Sequence, residues 1–82
     1  MKLNVYAVRD EVAKLFKYDF KRSRDGEALR YFADGVQAGG SEVSKHPSDF
    51  SLFKIATYDD ETGRFENYEI AERLASALDF VQ

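Results

Sequence analysis

The chain has 82 residues, a net charge of −3, no cysteine, seven Phe and five Tyr. That length makes one domain, and folding at this size removes only about two thirds of the surface of the unfolded chain, so leftover apolar area is expected to be covered in a homodimer. Disulfides and thiolate metal sites are excluded, no apolar run is long enough to span a membrane, and the polar start Met1-Lys2-Leu3-Asn4 is not that of a signal peptide, which together point to a cytoplasmic protein without a membrane partner.

Leu3 to Val8 reads as a strand, Arg9 to Ala13 as a turn and Lys14 to Phe20 as a second strand, giving an amino-terminal hairpin or a bulged pair. In an uninterrupted strand Phe16, Tyr18 and Phe20 project to one face and Leu15, Lys17 and Asp19 to the other. From Arg24 the period changes. Ala28, Leu29, Phe32 and Val36 recur at helical spacing, which predicts a helix over 24–38, with Ser23 as its cap, Asp25 at the positive end of the dipole and Gly39-Gly40 as its stop. Pro47 forces His46 out of helical geometry, and Ser48-Asp49 launches a strand over 51–58. Asp60-Glu61-Thr62-Gly63 supplies a turn whose glycine suits a bulged hairpin reaching about residue 68, and that bulge decides which of Phe65 and Tyr68 faces inward. Ile70, Leu74, Leu78 and Val81 then fall at helical spacing and predict a carboxy-terminal helix. The fold class expected is α+β: a small antiparallel sheet of about four strands in two hairpins, covered by one central helix, with the tail packing as a second helix or along an edge.

The charge is unevenly placed. Residues 1–30 hold eight Lys/Arg against five Asp/Glu, whereas residues 31–82 hold four against ten. Lys14, Lys17, Lys21, Arg22 and Arg24, interrupted only by Asp19, form a candidate basic ridge for phosphates. Lysines interleaved with aromatic residues suit single-stranded nucleic acid, but strand parity separates these rings from these charges, and core aromatics beneath a solvated charged face is the plainer account. Arg30 lies three residues from Glu27 and four from Asp34, so intrahelical pairing is expected there.

Other motifs carry less. Asp59-Asp60-Glu61 has oxygen ligands but sits in a hairpin turn and lacks the spacing of a calcium loop. His46 is the only histidine, and Gly39-Gly40-Ser41 follows a helix instead of opening one, so neither metal nor phosphate binding is expected. No nucleophile, base and oxyanion set can be assembled, so the expectation is a non-enzymatic protein with no cofactor.

The segment Lys45-His46-Pro47-Ser48-Asp49-Phe50-Ser51-Leu52-Phe53, followed by Tyr58-Asp59-Asp60-Glu61-Thr62-Gly63, resembles the small nonstructural protein of gokushoviruses, tailless single-stranded-DNA bacteriophages of the Microviridae. Leu3-Asn4-Val5-Tyr6-Ala7-Val8, Glu27-Ala28-Leu29-Arg30-Tyr31-Phe32 and Leu74-Ala75-Ser76-Ala77-Leu78-Asp79-Phe80 extend the similarity over nearly the whole chain. The chain departs from it at Phe16-Lys17-Tyr18-Asp19-Phe20, where members often carry a proline pair. The resemblance implies a late role in the cytoplasm of the infected bacterial host, in which the protein associates with replicating single-stranded DNA and assists its packaging into procapsids. The basic residues Lys14, Lys17, Lys21, Arg22 and Arg24 are then the expected nucleic-acid contacts. The alternative is a protein adaptor between the replication initiator and the procapsid, or a host factor, which uses the acidic half and a cluster drawn from Tyr6, Tyr31, Tyr58 and Tyr68.

Overall fold

The computed structural model describes Met1–Gln82. Strands β1 (Lys2–Asp10) and β2 (Leu15–Arg22) are followed by helix α1 (Asp25–Ala38), the single turn α2 (Glu42–Lys45), and strands β3 (Phe50–Asp59) and β4 (Arg64–Ser76). The strands form one antiparallel sheet in the order β2-β1-β3-β4. Two hairpins therefore join through their first strands, which become the centre, and α1 lies across one face. The α+β architecture expected from the sequence is the one observed. Central position explains why Val5 to Val8 of β1 and Phe50 to Leu52 of β3 are buried, while the edge strand β2 has no buried residue.

Helix α1 buries Ala28, Phe32 and Val36, four residues apart, against Tyr6 and Val8 of β1 and Phe50 and Leu52 of β3. Each large side chain fully buried there contributes about 1.5–3 kcal/mol. The start of the helix differs from expectation. Arg24 occupies the capping position with no side-chain cap, and the Ser23 hydroxyl instead donates to Glu27 Oε1 at 2.6 Å. The anchor is one residue further on: the fully buried Tyr6 donates its hydroxyl to Asp25 Oδ1 at 2.7 Å, and the Lys54 ammonium donates to both Asp25 oxygens at 3.1 Å. Asn4 Nδ2 completes the set by donating to the Tyr6 hydroxyl at 3.0 Å. The Tyr6 bond, and after it Lys54, hold the Asp25 carboxyl below its ordinary range, while burial and then Asp25 push the Tyr6 phenol up. A buried hydroxyl left without these partners is costly, so the network fixes where α1 begins.

Gly39 (φ 79°) ends α1 as expected. The turn α2 has no counterpart among the elements expected from the sequence; Ser41 and Ser44 cap it reciprocally, each backbone N–H donating to the other's hydroxyl. In the second hairpin Gly63 (φ 74°) donates to the Asp59 carbonyl at 2.8 Å, and Tyr58 pairs with Phe65. This settles the inward residue: Phe65 lies opposite the helix and is exposed, whereas Tyr68 is half-buried.

The carboxy-terminal helix over 70–81 is not formed. Strand β4 continues to Ser76, and only Ala77–Phe80 turn, as a 3-10 segment capped by Ser76. The apolar spacing misleads because β4 is interrupted. Between the pairs Ala56↔Asn67 and Lys54↔Glu72, four residues oppose the single Ile55, so residues 68–71 leave the ladder. Ile70 is 84% exposed and Leu78 and Val81 are also exposed; of the four, only Leu74 packs on the core.

Candidate nucleic-acid interface

The second strand does not keep its parity. Tyr6 pairs with Phe20 and Val8 with Lys17, so Tyr18 and Asp19 together oppose Ala7, and Tyr18 takes the left-handed conformation (φ 57°). One extra residue switches faces. Phe20 stacks on Tyr6 (centroids 5.5 Å) on the helix side, while Phe16 meets Phe53 edge-on (5.3 Å) on the other. The expectation that Phe16, Tyr18 and Phe20 share one face, apart from the charges, is overturned.

The bulge also distributes the five basic residues. Lys17 is spent internally: its ammonium lies 2.8 Å from Glu42 and 3.3 Å from Asp10. Glu42 also accepts from the Tyr18 hydroxyl. Glu42 raises the Lys17 pKa, and Lys17 in turn lowers that of Glu42. This cluster ties α2 to the sheet. Lys14 stands in the β1–β2 turn (φ 60°), at the opposite end of β2 from Lys21, Arg22 and Arg24. Lys21 lies over the rings of Tyr58 (4.9 Å) and Phe65 (5.5 Å), whereas Arg22 lies over Tyr31 (4.6 Å) and Phe20 (5.4 Å) on the helix side. The five thus do not form one ridge: one is neutralised, one is remote, and Lys21 and Arg22 alternate between faces. Lys14, Lys21, Arg22 and Arg24 form no ion pair, nor does Arg30 with Glu27 or Asp34 as expected.

The better constellation is the sheet face that α1 leaves bare. Register places on it Val5, Ala7 and Arg9 of β1, Phe16 and Lys21 of β2, Phe53, Ala56 and Tyr58 of β3, and Phe65, Asn67 and Arg73 of β4. The aromatics stand in two groups. Phe16 and Phe53 meet at one end, with the Arg9 guanidinium 4.9 Å from the Phe16 centroid; Tyr58 and Phe65 meet at the other (4.6 Å) beneath Lys21. Phe16 is 43% and Phe65 53% exposed. Between the groups a depression of about 320 Å³ is floored by the small residues Val5, Ala7 and Ala56 and edged by Asp19 and Asn67. Lys21 and Arg73 are free of carboxylates, and Arg9 has Glu11 at 3.4 Å.

Sequence reasoning does not single out Arg9, Phe53, Phe65 and Arg73 as site residues. Their signal is indirect: one 14-residue helix cannot cover both faces of four strands, so the alternate residues of β1 and β3 have to line something open. The remaining motifs lie away from this face. Asp59, Asp60 and Glu61 gather around the Met1 amino group, Asp60 at 2.8 Å, and His46 is an exposed residue between two short helical turns. Of the four tyrosines, Tyr6 is fully buried, Tyr31 is exposed on the helix side and Tyr58 lies on the bare face. No helix is long and apolar enough to cross a membrane.

The sequence profile of the Phage ORF5 protein family matches residues 3–80, and the chain belongs to that family. No curated protein and no solved structure gives a significant match.

Proposed function

We propose that this phage protein is a non-enzymatic single-stranded-DNA-binding module that uses the bare face of its sheet. The observation that carries the reading is the coincidence, on one uncovered surface, of two exposed aromatic groups with the cations Arg9, Lys21 and Arg73. Unstacked bases can lie on the rings while phosphates meet the cations, and a duplex, whose bases are already stacked, offers the rings nothing. Arg22, held over Tyr31 on the helix side, lies outside this track. Such contacts carry no sequence information, which fits a protein that accompanies a whole genome. The similarity to gokushovirus nonstructural proteins supports the further step: assistance in packaging the single-stranded genome into procapsids, within the infected cell.

The test is a titration of single-stranded DNA at several salt concentrations. Affinity is expected to fall with salt, and Lys21→Ala with Arg73→Ala to lower the magnitude of the log–log slope by about 0.7 for each phosphate no longer neutralised. Lys17→Ala serves as the internal control and should leave the slope unchanged, because Asp10 and Glu42 already neutralise that ammonium. Absence of binding at low salt would transfer the reading to the protein adaptor. What favours that alternative is a second concavity, an apolar groove of about 680 Å³ between α1 and β2 bordered by the exposed Tyr31.

A further inference from the structure

We infer that the depression between Phe16 and Phe65 is a nucleobase pocket that prefers guanine. The inference rests on the single-strand reading above and adds selectivity at one position of the strand. Val5, Ala7 and Ala56 are small residues at neighbouring central positions, flanked by rings that rise beside them, so the sheet surface drops there into an apolar slot. Its volume of about 320 Å³ lies at the small end of the range, about 300–1,000 Å³, in which proteins hold small molecules. The floor is buried and apolar, Phe16 and Phe65 stand at its walls with Ile55 and Lys17 beside them, and a flat heterocycle suits the space between the rings.

The edge of the slot supplies the selectivity. Asp19 is brought there by the β2 bulge, and it is the one carboxylate lining the slot, on a face that carries Lys21, Arg73 and Arg9 with its partner Glu11. The Asp19 oxygens form no ion pair and no hydrogen bond within the protein, whereas the neighbouring Asp10, Glu42 and Asp25 are all bonded, and the Asn67 amide on the β4 side of the slot is equally unpartnered. A lone acid on a phosphate-binding surface weakens binding unless it meets a donor. An ionised carboxylate accepts only. Guanine presents N1–H and the exocyclic amino group side by side, which match two carboxylate oxygens. Adenine and cytosine each offer one amino group there, and thymine flanks its single N–H with two carbonyl oxygens that the carboxylate repels.

The experiment compares binding of four single-stranded pentamers, all dT except for a central dG, dA, dC or dT, to the wild-type protein and to Asp19→Asn and Asp19→Ala. The dG pentamer is expected to bind about tenfold more tightly than the all-dT pentamer, with dA and dC between. Both substitutions should erase that preference, and Asp19→Ala should raise affinity for the all-dT strand by removing a negative charge beside phosphates. Measurable binding that is equal for the four pentamers, or a dG preference that survives Asp19→Asn, overturns the pocket and leaves the single-strand reading standing. No binding of any pentamer at low salt, with binding of longer single strands also absent, overturns both.

Discussion

The two faces of the sheet are built from alternate residues of the same strands, yet they have been put to opposite uses. Tyr6, Val8, Phe50 and Leu52 lie under α1 in a closed core, and the polar groups that reach that side, Tyr6, Asp25 and Lys54, are bonded to one another. Val5, Ala7, Phe53 and Ala56 point the other way, where nothing covers them except the side chains of their neighbours. Stability and binding are therefore separable here by residue parity. With one main helix, folding consumes one face, and the second is left for a ligand.

The sharpest way to break this comparison is to delete apolar volume from each face and ask which property moves. Leu52→Ala on the covered face removes a side chain with no exposed surface and is expected to destabilise the protein by about 2–5 kcal/mol, read from the midpoint of a urea transition. DNA affinity of the fraction that remains folded should be unchanged. The reverse is expected on the bare face. Phe16→Ala with Phe65→Ala removes two stacking surfaces, each worth about 1–3 kcal/mol per base, so affinity should fall by at least about tenfold. The stability loss should stay near about 1 kcal/mol per aromatic pair disrupted. If the double variant unfolds as readily as Leu52→Ala, the bare face is a second core awaiting a protein cover.

A smaller effect sharpens the account of the covered face. Asp25 has its pKa lowered by the Tyr6 hydroxyl and then by Lys54. A carboxyl whose folded pKa lies below its ordinary 3.8 contributes stability that is complete above that value and is lost as the pH falls through the folded one. Asp25→Asn should therefore cost about 1 kcal/mol or less at neutral pH, since the carboxylate is 40% exposed and partly screened. The unfolding curves of wild type and variant should converge as the pH drops below 3.8. A constant gap across that interval would mean that the Tyr6–Asp25–Lys54 network is held by packing and not by charge.

Much of the covered face is legible in the sequence, because it obeys simple periods. Ala28, Phe32 and Val36 recur every four residues, Gly39 halts the helix, and Gly63 takes the left-handed position in a hairpin that its turn residues announce. The bare face is hidden by two interruptions. A single extra residue near Tyr18 moves Phe16 and Phe20 to opposite sides, and no glycine marks the spot, since a tyrosine itself adopts φ 57°. The fate of Lys17 depends on Glu42, 25 residues away on a one-turn helix whose existence rests on two serines capping each other. Local composition shows where cations are concentrated; which of them remain free is decided by long-range contacts.

The smallest expected effect concerns a residue that belongs to neither face. Ile70 stands in the part of β4 that leaves the ladder, with 84% of its surface exposed, although its spacing to Leu74, Leu78 and Val81 imitates the buried stripe of a helix. In a packed helix Ile70→Ala would cost roughly 2–5 kcal/mol. On the looped-out segment it should change stability by no more than about 0.5 kcal/mol and leave DNA affinity alone, while Leu74→Ala, whose side chain touches the core, should cost measurably more. Equal losses from both substitutions, measured in the same urea titration, would show that residues 68–71 pack against the rest of the protein instead of standing in solvent.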